Sequence, residues 1–207
     1  EVFITPVIFG EDGWFTAGDN GRTTKSFEIN YINNDGIQKE KKHYTFENTK
    51  WDNDWCYLRI PNKKNYKLDK NKLILKGTDI TLDDVDSPTF IGIRQRDFNA
   101  TISCNVEITD GEAGITLYMD ENHHYDLAIR KCENGYEAIE RLNIGDIKSV
   151  EKSIYLENKN NISLIINASN SYYSFSIKSE NEESILGYAK TRYLSSEVAG
   201  GFTGVVI

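Results

Sequence analysis

The sequence predicts an all-β fold of antiparallel strands, a sandwich or a barrel, and three observations carry that prediction. Apolar residues alternate with polar ones at period two, polar turn residues separate the alternating runs, and no helical apolar period persists for three turns. The alternation is cleanest from Asn99 to Ile108, where Ala100, Ile102, Cys104, Val106 and Ile108 interleave with Asn99, Thr101, Ser103, Asn105 and Glu107. Successive strand residues point to opposite faces, so such a run has one wet face. The pattern returns at Ile115, Leu117 and Met119, at Tyr125, Leu127 and Ile129, at Ile162, Leu164 and Ile166, and at Tyr173, Phe175 and Ile177. Asp110-Gly111, Asp120-Glu121-Asn122, Asn134-Gly135, Lys159-Asn160-Asn161 and Ser169-Asn170 supply the turns. Aromatic side chains, 12% of the chain, suit the half-buried pleated surfaces that such strands present.

Composition removes several function classes. The 24 basic and 32 acidic residues leave a formal net charge of -8, which repels phosphate backbones, so a nucleic-acid partner is not expected. No apolar run approaches the roughly 20 residues that span a bilayer, and no charged segment followed by an apolar core opens the chain, so no membrane partner is expected. A start at Glu1 reads as a piece of something longer. Cys56, Cys104 and Cys132 are odd in number and irregularly spaced, which fits neither a disulfide framework nor a zinc ribbon. Cys104, in phase with apolar neighbours, reads as a small buried hydrophobe, and a reducing, cytoplasmic location is the expectation.

The front of the chain is organised differently. Pro6–Phe9 and Gly13–Thr16 are placed to form a hairpin through Glu11-Asp12-Gly13, closed by Asn20-Gly21-Arg22. Asn33 to Lys42 then carries no alternation and ends in a mostly basic run, which reads as a solvated linker. His123-His124 invites a metal reading, but neighbours on a strand point to opposite faces and do not readily share one ion. Hydrogen-bonded structural histidines are the better expectation.

Three segments in order resemble family 43 glycoside hydrolases of the two-domain β-xylosidase type. Thr5-Pro-Val-Ile-Phe-Gly-Glu-Asp-Gly-Trp14 with Asp19-Asn-Gly-Arg22 is similar to the last strands of their five-bladed propeller. Phe46-Glu47, Trp55-Cys-Tyr-Leu-Arg-Ile-Pro61 and Leu73-Ile-Leu-Lys-Gly77 resemble the opening of their C-terminal sandwich. Ser87-Pro-Thr-Phe-Ile-Gly-Ile-Arg-Gln-Arg-Asp-Phe98, followed by Glu112-Ala-Gly-Ile-Thr-Leu-Tyr118 and Asp120-Glu-Asn-His-His-Tyr125, is the most specific stretch. The resemblance implies an antiparallel two-sheet jelly-roll sandwich of concanavalin A-like form over residues 45–207. It implies a propeller tail over 1–26 and a linker over 27–44. Family members continue past the position of Ile207, so the resemblance also implies a missing last strand.

The same resemblance places all catalytic carboxylates in the propeller, ahead of Glu1, so none is assigned and the segment is expected to be inactive alone. Its implied role is to wall the pocket of an exo-acting β-xylosidase or arabinofuranosidase, with xylo-oligosaccharides or arabinosides as substrates of the parent. In Gly200-Gly-Phe-Thr-Gly204 the ring of Phe202 is the candidate for the pocket, the alternative being a core position at a strand start. Arg94 and Arg96 share a strand face and are expected to clamp carboxylates at an interface with the propeller or with another sandwich. Homo-oligomers are common in the family. Trp51, Trp55 and Tyr57, at i, i+4 and i+6, would form a sugar platform on an extended strand; core packing is the favoured reading. No cofactor is required, although sandwiches of this kind hold structural calcium, for which Glu47 is the weak candidate. Two other readings compete. A free-standing carbohydrate-binding module leaves Glu1–Arg22 unexplained. A catalytic jelly roll would carry clustered carboxylates on one strand, and Glu107-Ile-Thr-Asp110 breaks that phase.

Overall fold

The computed structural model describes residues 4–28, 41–47, 51, 53–156, 161–179, 182–201 and 204–207. The chain divides into two units, Glu1–Tyr44 and Thr45–Ile207. In the first, β1 (Val7–Phe9) pairs antiparallel with β2 (Phe15–Ala17), and the side chain of Asp12 accepts from Trp14 N in the turn. Asp19 and Arg22 bridge across the following turn. Val7, Ile8 and Phe9 are consecutive, so they face both sides of the hairpin, and all three are exposed, as are Trp14 and Phe15.

The second unit opens with a hairpin, β3 (Tyr66–Asp69) and β4 (Lys72–Leu75). Eight longer strands follow: β5 (Ala100–Val106), β6 (Glu112–Asp120), β7 (His123–Cys132), β8 (Gly135–Ile144), β9 (Ile147–Leu156), β10 (Ile162–Ala168), β11 (Tyr172–Ser179) and β12 (Glu182–Lys190). They form two antiparallel four-stranded sheets, ordered β6-β7-β8-β9 and β12-β11-β10-β5. Every strong alternating run lies in one of these strands. Among the described residues the only α-helix is the four-residue α1 (Ser196–Ala199).

The inner faces of the two sheets make one core. Tyr125, Leu127 and Ile129 of β7 meet Tyr173, Phe175 and Ile177 of β11, and the ring of Tyr125 stands edge-on to those of Tyr173 and Phe175, each at 6.3 Å. Each such buried side chain contributes about 1.5–3 kcal/mol relative to exposure. The phenol of Tyr125 donates to the Lys190 carbonyl and that of Tyr173 to Gln95 Oε1, so neither hydroxyl is stranded. Cys104 departs from the expectation: its register opposite Leu164 places it on the inner face, but β5 is an edge strand and the residue remains exposed.

One inner position is not apolar. Glu140 of β8 is only 2% exposed, and its Oε1 has no hydrogen-bond partner among the described residues. It is packed beneath Gly187 of β12, where any Cβ would collide with the carboxylate. Burial, reinforced by the nearby Glu151 carboxylate and only partly offset by Lys152, pushes its pKa up from 4.5 to about 7. The raised value means that the fold prefers the protonated acid. Stability from this group is complete below pH 4.5 and is lost as pH rises through about 7. A Glu140→Gln variant is expected to be more stable than the parent sequence at pH 8 by about 1–3 kcal/mol, with the gap closing towards pH 4.5. Urea denaturation at the two pH values measures it, and a pH-independent difference would contradict the assignment.

Candidate functional site

Arg94 and Arg96 lie by the edge of the sandwich beyond β6, and short main-chain pairings build that edge. Cys56 and Gly92 exchange N–H···O bonds of 2.8 and 2.9 Å. Ile93 and Ile207 exchange two more, both 2.8 Å, and Gln95 N donates to the Val205 carbonyl at 2.9 Å. On its other side Val206 exchanges two 2.8 Å bonds with Tyr118 of β6. Residues 205–207 thus lie between segment 92–95 and β6, and the first sheet continues through them to Cys56. Gly92 is required by this approach, since a Cβ would come within 2.7 Å of both the Ile207 carbonyl and Val206 Cγ1. Phe90, Tyr118 and Val206 form a small second core beneath, with Cys56, Leu58 and Leu82 against it.

A polar cluster fastens the same front segment to the outer face of the first sheet. His124 is 1% exposed; its Nδ1 lies 2.8 Å from Asp126 Oδ1 and its Nε2 3.0 Å from Asp83 Oδ1. Asn143 donates to Asp83 at 2.9 Å, and Lys148 pairs with the other Asp83 oxygen. Thr116 donates to Asp126 at 2.7 Å, and Arg141 forks onto both oxygens of Glu112 while reaching Asp126 at 3.3 Å. His123 points the other way and holds Asp120 at 2.9 Å, so the two histidines do not share an ion. The cluster's polar groups partner one another, which makes it a fastening. The alternation predicts a wet outer face for β7; instead His124 and Asp126 of that face are buried, His124 against Asp83 and Asp126 among Thr116, His124 and Arg141.

Described residues flank Phe202 on both sides. Gly200 and Gly201 take positive φ of 78° and 73° directly after α1, a conformation that disfavours other residues, and Val205 is bonded to Gln95. Phe202 itself lies outside the described residues. Arg94 bridges to Val206 and Arg96 is two residues further on, so both arginines border this loop. Both are exposed: Arg96 pairs with Asp54 at 2.8 Å, and Arg94 has no partner among the described residues. The proposed platform is split. Trp51 meets Tyr57 edge-on at 6.5 Å and Tyr57 meets Tyr66 at 5.2 Å, whereas Trp55 lies against Phe46 at 6.1 Å. Among the described residues of this stretch only Cys56 forms a β-bridge, and the ring contacts put Trp55 in a different pair from Trp51 and Tyr57. Glu47 is exposed, and no three His, Cys, Asp or Glu side chains among the described residues gather to hold a metal.

Comparison with known proteins agrees with this geometry. Residues 43–207 match the family described as the β-xylosidase C-terminal concanavalin A-like domain of glycoside hydrolase family 43. The chain belongs to this family. This GH43 sandwich is 34% identical, over its whole length, to the non-reducing end α-L-arabinofuranosidase BoGH43B of Bacteroides ovatus, of which it covers 40%. It is 25% identical to a xylosidase/arabinosidase of Butyrivibrio fibrisolvens, covering 42% of that protein. Among solved structures, the xyloglucan-locus GH43B of Bacteroides ovatus superposes with a TM-score of 0.83 at 31% identity, over 99% of this chain and 42% of that one. The xylan β-1,4-xylosidase of Bacillus halodurans, at 19% identity, shares the fold with a TM-score of 0.76. The chain spans about two fifths of the length of the curated relatives it matches.

The GH43 sandwich is expected to depend on the close approach at Gly92. Gly92→Val should lower its unfolding free energy by about 1–3 kcal/mol, through overpacking against Val206 and Ile207. Chemical denaturation followed by tryptophan fluorescence measures this, and an unchanged midpoint would contradict the pairing.

Proposed function

We propose that the chain is the accessory C-terminal sandwich of an exo-acting β-xylosidase or arabinofuranosidase, in which the loop at Phe202 walls one side of the catalytic pocket. The observation that carries this reading is the loop's anchorage. The Val205–Gln95 bond holds its C-terminal end on a paired sheet edge and Gly200 N bonds the Ser196 carbonyl at its other end, and a scaffold of that kind suits a loop that contributes to a site. An aromatic ring there would give a sugar a flat apolar face and exclude water. The relatives named as arabinofuranosidase and xylosidase/arabinosidase supply the substrate class.

The hairpin β1–β2 supports the same reading. Apolar residues exposed on both of its faces suit a piece of a larger domain that covers them, which we take to be the tail of the catalytic propeller. Arg94, with no partner among the described residues, and Arg96, held only by Asp54, are the candidates for ion pairs to that domain or to a second sandwich. The two buried carboxylates of the described sandwich are ill placed for hydrolysis: Glu140 is sealed in the core, and Asp126 is engaged by Thr116, His124 and Arg141. The chemistry is therefore assigned to the parent's other domain, and three free thiols fit a reducing location.

The test uses chromogenic xyloside and arabinofuranoside with the full-length parent. Phe202→Ala is expected to lower kcat/KM about 10–100-fold, the loss of one positioning contact, while the 207-residue chain alone stays silent. Hydrolysis by the isolated chain, or an unaltered kcat/KM in the variant, would overturn the reading. In the same parent, Arg94→Glu is expected to lower the unfolding temperature without changing KM; a changed KM alone would place Arg94 on substrate instead.

A further inference from the structure

The outer face of the sheet β12-β11-β10-β5 is unlike the rest of this acidic chain. The registers put Thr101, Ser103 and Asn105 of β5 beside Ser163, Ile165 and Asn167 of β10 on that face. Next to them β11 presents Tyr172, Ser174 and Ser176, and β12 presents Ile185 and Tyr188. None of these positions is itself charged, although 27% of the chain is. The charged residues of the face lie along its ends, Lys178 and Glu183 at one and Lys190 at the other, and Glu183 reaches in to accept from the Ser176 hydroxyl at 2.8 Å.

The polar groups are already ordered. Thr101 Oγ1 donates to Asn167 Oδ1 at 2.8 Å, and Ser163 Oγ donates to Asn105 Oδ1. Each asparagine thus spends its carbonyl oxygen on a neighbouring strand, and no partner within the chain is found, among the described residues, for either amide NH2. Tyr172 and Tyr188 are 49% and 62% exposed. Tyr172 pairs with Lys190 and Tyr188 with Ser174, so the two rings are diagonal neighbours, about 7–8 Å apart at the backbone. Lys190 lies 5.9 Å from the Tyr172 ring centroid and steadies it.

We propose that this face is a binding site for a neutral polysaccharide chain, with Tyr172 and Tyr188 receiving sugar rings and the amides of Asn105 and Asn167 donating to ring hydroxyls. The chemistry selects this occupant. A nucleic acid or an anionic lipid surface needs clustered cations, which the face lacks. A protein partner needs a desolvated apolar centre, whereas here the centre is small hydroxyls and amides. A neutral, hydroxyl-rich chain offers flat apolar ring faces to the tyrosines and donors and acceptors to the rest, and the charges nearest to it, Glu183 and Lys190, are already engaged by Ser176 and by the Tyr172 ring. The proposal stands apart from the pocket-wall reading, because the face belongs to the sheet opposite the one that residues 205–207 extend, and its binding is read without hydrolysis.

Native electrophoresis of the 207-residue chain through gels containing arabinoxylan, xyloglucan or carboxymethyl cellulose tests it. Retardation by at least one neutral polymer and none by the anionic one is expected. The Tyr172→Ala/Tyr188→Ala variant should weaken retention about tenfold, and so should Ser103→Glu, which puts a charge on the face without removing a packed side chain. Trp51→Ala should leave retention unchanged, which separates this face from the aromatic group near Tyr57. No retardation of the unmodified chain by either neutral polymer would overturn the proposal, whatever the variants do. Equal retention in the tyrosine variant, or a change in its sedimentation with no change in retention, would also overturn it, the latter marking a self-association surface.

Discussion

Everything placed at the candidate site hangs on the main-chain bonds of residues 205–207. These three residues pair with Tyr118 on one side and with Ile93 and Gln95 on the other, and through them a segment with little regular structure joins a sheet. Backbone groups buried without partners are costly, so a front segment of coil and bends could not lie against the sandwich unless its N–H and C=O groups were met. The strip meets them, and the cluster around Asp83 and His124 fastens the same segment from its other end. Position follows from this. Arg94 and Arg96 come to the edge built by residues 205–207 because Arg94 bridges to Val206 and Arg96 follows two residues on.

Two kinds of buried polar group do different work in this fold. Asp83, Asp126, His124 and Asn143 satisfy one another and fix one arrangement of the covering loop. Glu140 sits inside the main core with an oxygen that nothing meets, beneath a glycine that only its own small size permits. The first is a fastening and the second a liability at high pH. Neither is a pair of open carboxylates across a cleft, and this is consistent with a sandwich that supports chemistry done elsewhere in its parent.

Much of the sandwich was legible in the sequence. The alternating runs fall in β5, β6, β7, β10 and β11, and their turn residues fall between strands. Three strands were less visible for physical reasons. β8 carries Glu140 at an inner position, which breaks its apolar phase, and a bulge between Glu140 and Arg141 shifts its register with β9. β9 and β12 are edge strands, whose exposed residues include Ile147, Val150, Ile185 and Tyr188, so polarity no longer reports the face. The site was legible in part. The spacing of Arg94 and Arg96 picks out two exposed cations, but the Trp51, Trp55 and Tyr57 platform assumed an extended strand where, among the described residues, only Cys56 forms a β-bridge. The Asp83–His124 contact joins residues 41 positions apart and leaves no local signal.

The central claim is that this edge carries Phe202 to the parent's sugar. A crystal structure of the full-length parent with xylose or arabinose bound tests it most directly. The account predicts the Phe202 ring within about 4 Å of the sugar, in van der Waals contact. A ring turned into the sandwich core, with the sugar enclosed by the catalytic domain alone, would contradict it.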